Sequence, residues 1–260
     1  MELFPWPWRD VEIFLLILVR VGMVLFLFPF FSSRLIPLQC KAGLCLLLTA
    51  LFFPVAALGD ARLPSSAAGL LRLILSELAV GMVLGFLVQI FFEAVSMMGQ
   101  VAGFQTGFSI TNIMDPQNGV QVSVLSNMAS LVALALFLAL DGHHFFLRAI
   151  QESYEIVPVG GLVLKEEPLL DLMNRAGEIF VLSIKMGAPV IVGLLFLQAA
   201  LGLVSKAIPQ MNVMIVAFPL QIVLGLFFFG ISLKVVQMLT ERYLATLGPL
   251  LMNTLAWMKG

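Results

Sequence analysis

Two histidines stand side by side at His143 and His144, just after Asp141. Such a run invites a metal or a proton-transfer reading. Neighbouring positions do not face each other on a helix, and no third ligand falls at a zinc-type spacing. There is no His-Glu-x-x-His pattern, and neither Cys40 nor Cys45 lies near a histidine. The expectation is therefore no metal and no cofactor, with a helix starting at a membrane boundary and Asp141 as its N-cap. A Gly-x-Ser-x-Gly elbow and a Walker phosphate loop are also absent from the chain. The sequence names no catalytic residue and points away from an enzyme.

The other conspicuous chemistry is that of a barrier. The stretch from Ala94 to Met114 carries no charge, so by composition it could cross a bilayer. Its centre nevertheless reads Gly99-Gln100-Val101-Ala102-Gly103-Phe104-Gln105-Thr106-Gly107-Phe108-Ser109. Glycines and amides at membrane depth are tolerated where protein buries the backbone or a water-filled cavity wets it. Gly99, Gly103 and Gly107 recur every four residues, and Gly81 and Gly85 repeat the spacing upstream. In a helix each set lies on one face, where small residues let backbones approach closely. Plain helix packing explains that spacing. A pore-closing segment explains it too, with Phe104, Phe108 and Ile110 as an apolar constriction that gates by dewetting. Gln105, Thr106, Gln117 and Asn118 would then be polar lining or latch groups, with Ser109 part of the same gate segment. Asp115-Pro116-Gln117-Asn118-Gly119 is a turn signal, since Pro presets φ and Gly accepts positive φ. It reads equally as a surface turn or as part of a plug.

The elements that must position these residues are apolar helices. Hydrophobic residues make up 61% of the chain and charged residues 11%, against about 25% charged in a globular domain. A net charge of −1 lacks the basic footprint of a nucleic-acid binder. Two cysteines are too few for a disulfide framework. Six hydrophobic segments are expected, at about 11–31, 42–58, 68–98, 122–140, 179–204 and 213–239. The first holds Arg20, and the third holds Arg72, Glu77 and Glu93. An ionisable group in hydrocarbon is costly, so Arg20 is expected to be buried in protein or to face a lumen. Pro189, Pro209 and Pro219 interrupt apolar runs. Pro209-Gln210-Met211-Asn212, beside Lys206, reads as the tight turn of a hairpin between the fifth and sixth segments. Residues 141–178 form the one sizeable polar region, too small for its own core and expected as a loop with short helices. The chain thus reads as a single all-α integral membrane domain, 1–260, with a glycine-rich gate segment at 94–122. Counting basic residues favours both termini in the cytoplasm, and the first apolar segment is expected to stay as an uncleaved insertion signal.

Four ordered motifs resemble those of the FliR family of flagellar export-gate proteins. They are Gly103-Phe104-Gln105-Thr106-Gly107-Phe108-Ser109-Ile110, Met114-Asp115-Pro116-Gln117-Asn118-Gly119, Asp141-Gly142-His143-His144 and Pro209-Gln210-Met211-Asn212-Val213. The resemblance covers essentially the whole chain. It implies a non-enzymatic subunit of the flagellar type III export gate, in the bacterial inner membrane at the basal body. Such a subunit assembles with FliP and FliQ, is joined by FlhB and FlhA, and passes unfolded flagellar proteins. It also implies bent helical hairpins in a helical multi-subunit assembly, with a loop matching about 103–122 projecting into the closed channel as a plug. The paralogous virulence type III secretion subunit is the nearest alternative. A small-solute transporter would need inverted repeats with paired broken helices. The breaks near residues 103 and 209 offer a pair, but no internal similarity surrounds them.

Overall fold

The computed structural model describes residues 7–32, 36–56, 64, 66–108, 123–163, 166–210 and 212–259. Among the described residues the α-helices are, in order, α1 Trp8–Leu27, α2 Pro29–Ser32, α3 Leu38–Ala56, α4 Ala67–Gln105, α5 Val124–Ala139, α6 Gly142–Ile156, α7 Glu166–Ala207 and α8 Val213–Met258. The all-α membrane architecture expected from composition holds. Among the described residues, α3, α4, α7 and α8 are each long and apolar enough to span a bilayer. A fifth span is added if α5 and α6 are counted as one broken span. The first hydrophobic segment is helical, but Arg9, Asp10, Glu12 and Arg20 make α1 too charged to count.

The chain divides into two compact units. One comprises 1–90, 141–176 and 244–260; the other comprises 91–140 and 177–243.

In the first unit, α1 buries Ile13, Leu16, Ile17, Arg20, Val21, Val24 and Leu25. That three-and-four spacing is a single helical stripe, and Arg20 lies inside it. The helix ends because Phe28, with φ −73° and ψ 125°, precedes Pro29; a residue before proline is pushed into extended backbone. Phe14 packs on Phe53 of α3, centroids 6.2 Å apart, and Phe28 packs on Phe146 of α6 at 4.6 Å. Gly81 and Gly85 lie against α1. A Cβ at Gly81 would sit 2.8 Å from the Arg20 carbonyl oxygen, and one at Gly85 would sit 2.6 Å from Leu27 Cβ. The polar region at 141–178 is not mainly loop. It holds the fifteen-residue α6, which buries Phe146, Ala149, Ile150, Ser153 and Tyr154 on one stripe, and then the start of α7. After α6 a turn closes with the Gly161 N–H donating to the Pro158 carbonyl, 2.8 Å. Gly160 in that turn has φ +77°, and a Cβ there would meet Leu73. Val163 then donates to the Met258 carbonyl at 3.0 Å, tying the turn to the end of α8.

In the second unit the later part of α4 packs on α5. Phe92 and Phe137 have centroids 5.5 Å apart, and Phe91 stacks on Tyr243 at 5.2 Å. Gly99 abuts the backbone of Ser126 so closely that no side chain fits between. The Ser126 hydroxyl donates to the Ser96 carbonyl at 2.8 Å. α7 and α8 run antiparallel, with Gly193 against Phe228 and Gly225 against Leu194, and a turn at Pro209–Gln210 follows α7.

Candidate functional site

Two polar arrangements stand out, one in each unit. In the second unit, α4 stops inside the glycine-rich run. The Thr106 N–H still donates to the Ala102 carbonyl at 3.0 Å, but the Gly107 N–H turns to Phe104 at 3.2 Å. Gly107 has φ +85°. This is the left-handed glycine ending common at helix C-termini, where the absent Cβ removes the steric penalty. Gly99, Gly103 and Gly107 therefore do not share one helical face. The first two are in α4, and the third ends it. Gly103 is buried, as is Thr106, whose hydroxyl donates to the Ala102 carbonyl at 2.8 Å. The Thr106 methyl fills the space a side chain at Gly225 would need. The Gln105 Oε1 is buried with no hydrogen-bond partner. Phe104 and Phe108, by contrast, are 61% and 39% exposed. α4 thus finishes in two partly exposed aromatic rings, a buried amide oxygen without a partner and a turn. Ser109, Asp115, Pro116, Gln117, Asn118 and Gly119 lie outside the described residues, as does Met211. Pro209, Gln210 and Asn212 are exposed between α7 and α8.

In the first unit, Arg20 and Glu77 are 0% and 1% exposed and 2.6 Å apart. The Arg20 Nε donates to Glu77 Oε2. Its Nη1 donates to the Ser153 carbonyl and hydroxyl, both 3.2 Å, and its Nη2 to the Val157 carbonyl at 3.0 Å. The other carboxylate oxygen, Glu77 Oε1, accepts the Gly160 N–H at 3.1 Å. The Tyr154 ring lies under the guanidinium, 4.2 Å from centroid to Cζ. Arg20 is therefore buried in protein, and it binds carbonyls at the C-terminal end of α6, where the helix dipole favours a cation. The two ions sit in two apolar segments fifty-seven residues apart. That was the sequence signal for the pair, because each ion in hydrocarbon must find the other or water. Tyr154, Ser153 and Gly160 carried no such signal.

At the start of α6, Asp141 occupies the N-cap position, but with φ +57° and no capping bond from its side chain. Its Oδ1 faces His144 Nδ1 at 3.3 Å instead. The expected lack of a third ligand does not hold: Asp141, His143 and His144 bring ligand-type atoms within 4.8 Å of one another. Two of the three are exposed, and the positive end of a helix disfavours a cation. No metal chemistry is built on them.

Of the two polar arrangements, the first presents two partly exposed aromatic rings at a helix end, and the second ties distant segments together through a buried ion pair. The sequence places this pair of devices in a known group. Residues 11–247 match the bacterial export proteins, family 1. The chain belongs to that family. Among its relatives is the flagellar biosynthetic protein FliR of Escherichia coli strain K12, 30% identical over 226 residues, covering 87% of this chain and 82% of that protein. FliR of Bacillus subtilis strain 168 is 27% identical over 249 residues, 94% of each chain. The surface presentation of antigens protein SpaR of Salmonella typhimurium is 27% identical over 194 residues, 74% of this chain and 72% of its own.

Proposed function

We propose that this chain is the FliR-type subunit of a flagellar type III export gate. It acts without catalysis, as one part of an inner-membrane channel at the basal body that passes unfolded flagellar proteins. FliP and FliQ are its partners in the channel, with FlhB and FlhA alongside, and export is driven by those partners or the proton-motive force. Residues 103–119 are the gate. Gly103 and Thr106 seat its base in the second unit, and Gly107 releases the chain from α4. Phe104 and Phe108 form the apolar constriction, and Gln105, with Ser109, Gln117 and Asn118, supplies polar lining or latch contacts. Asp115, Pro116 and Gly119 turn the segment back. Gly81, Gly85 and Gly99 hold the supporting helices close, and Pro209 to Asn212 turn the α7–α8 hairpin toward a neighbouring subunit.

The observation that carries this reading is the ending of α4. In a family of export proteins, a helix ends in partly exposed phenylalanines, 61% and 39%, inside an uncharged, glycine-rich run. A narrow apolar ring blocks ions by dewetting yet offers no strong contacts to a passing chain. Deleting 109–119 tests it. Cells carrying the deletion are expected to leak small ions while still exporting. Unchanged permeability with export intact would count against a plug. The match to SpaR supports the virulence secretion system as the second reading. Complementation of a flagellar against a virulence null strain separates the two.

A further inference from the structure

A cavity of about 310 Å³ lies where α1, α2 and α3 meet in the first unit. Its place follows from the pairing of α1 with α3. Phe14 packs on Phe53, and a Cβ at Gly22 would sit 3.5 Å from Cys45 Sγ. Eight residues up α1 thus match eight residues down α3, so the two helices run antiparallel and Phe26 lies level with Lys41. Gly22 and Cys45 line the end farthest from the α2 corner, where the missing side chain of Gly22 leaves room. Ala42 is a low wall beside them. Phe26 and Leu38, 73% and 80% exposed, flank the opening. Lys41, half-buried, is the one charged residue of the lining. Apart from its ammonium and the Cys45 thiol, the lining side chains carry no polar atom. From Leu38 to Cys45 the helix rises by about 10 Å.

We propose that this cavity is a binding site for one anionic phospholipid, which lays the upper part of an acyl chain between α1 and α3 and sets its phosphate on the Lys41 ammonium. Folded proteins leave few voids larger than a water molecule, and water gains few hydrogen bonds against hydrocarbon walls. An amphiphile suits both ends of the space. Two observations select a phospholipid over a side chain of another protein. Residues 21–59 hold Arg34 and Lys41 and no carboxylate, so this end of the first unit calls for an anion. Lys41 also stands in the first turn of α3, a helix long and apolar enough to span a bilayer. With α3 embedded, the lysine is at headgroup depth, where its stem can snorkel to a phosphate. Gly22 and Cys45 are then one turn further in, at the depth of the first chain carbons. The site is distinct from the gate, and this inference holds whether or not residues 103–119 form one.

The thiol in the lining supplies its own reporter. With Cys40→Ala, Cys45 is the chain's single cysteine. The chain in its purified native complex is placed in phosphatidylcholine nanodiscs with a rising share of phosphatidylglycerol. Labelling of Cys45 by N-ethylmaleimide is read from the mass of the intact chain. Phosphatidylglycerol should protect the thiol. The share needed for half-protection should rise about fivefold in Lys41→Gln and stay at the wild-type value in Lys41→Arg. In a second arm, phosphatidylglycerol with a diazirine on the first carbons of its chain should form an adduct between residues 22 and 45. Gly22→Leu fills the cavity and should abolish that adduct. Gly22→Ala should keep it, because a Cβ there meets only ordinary contact. If Gly22→Leu yields no folded chain, Ala42→Leu fills the space from its open side and should give the same loss. Labelling that ignores phosphatidylglycerol, or an adduct that survives the filling variants, overturns the proposal. Equal protection of Cys45 in lipid-free detergent, with a crosslink there to an unlike protein, also overturns it and makes the cavity a subunit contact.

Discussion

Replacing Arg20 by Met removes the tie at the centre of the first unit. The side chain fills similar space, so the cost is electrostatic. Glu77, 1% exposed, loses its cation. The Val157 carbonyl loses the donor 3.0 Å away, and the Ser153 carbonyl keeps only the Val157 N–H at 2.9 Å. Removing one partner of a buried ion pair costs about 3–5 kcal/mol, because the other charge stays behind in a low dielectric. At about 2–4 °C per kcal/mol for a chain of this size, the thermal midpoint should fall by roughly 6–20 °C. Two further variants separate the cause from general damage. Arg20→Lys keeps the charge, but its single head cannot reach Glu77, Ser153 and Val157 at once, so an intermediate loss of about 1.5–3 kcal/mol is expected. Arg20→Met with Glu77→Gln removes the stranded charge, and the double variant should be more stable than Arg20→Met alone. The assay is thermal unfolding in nanodiscs, with proteolysis at 157–161 as a local readout, since that turn is held by Arg20 and Glu77. A midpoint within 2 °C of wild type for Arg20→Met, or a double variant as unstable as the sum of the singles, would refute the reasoning.

Gly99→Val should prevent α4 and α5 from meeting at Ser126 and lower stability by about 1–3 kcal/mol, read as a reduced yield of folded chain and a lower midpoint. Gly160→Ala should cost about 1–2 kcal/mol through its positive φ, plus the clash with Leu73, and should loosen the 157–161 turn to protease without touching the second unit. Phe104→Ala with Phe108→Ala should lower the stability of the isolated chain by no more than about 1 kcal/mol, since both rings are partly exposed, 61% and 39%. The same pair should raise ion leakage through the assembled gate, and a large stability loss without leakage would assign both rings to packing.

The chemistry of lipid made much of this fold legible. A charge-poor chain must be helical where it meets hydrocarbon, so composition led to an all-α membrane protein. Arg20 was traceable because a lone cation in an apolar segment has few physical outcomes. Its carboxylate partner was visible as a residue but not as a partner, because pairing over fifty-seven positions depends on how α1 and α4 pack. The place of Tyr154 under the guanidinium was invisible for the same reason. The glycine run was read as a helical face because a four-residue spacing fits one. The left-handed Gly107 ends the helix two residues after Gln105, which spacing alone does not encode. Asp141 has the residue type of an N-cap, yet its backbone turns left-handed and its carboxylate goes to His144. Residue type set the role there, and backbone conformation decided otherwise.

The central claim is that the end of α4 lies on the path of exported chains. A photo-crosslinking amino acid placed at Phe104, and separately at Phe108, in an assembled gate with a stalled flagellar substrate measures this directly. The account predicts crosslinks from both positions to the unfolded substrate, lost when the substrate clears the channel. Crosslinks to phospholipid alone, with the substrate captured by other surfaces of the complex, would contradict it.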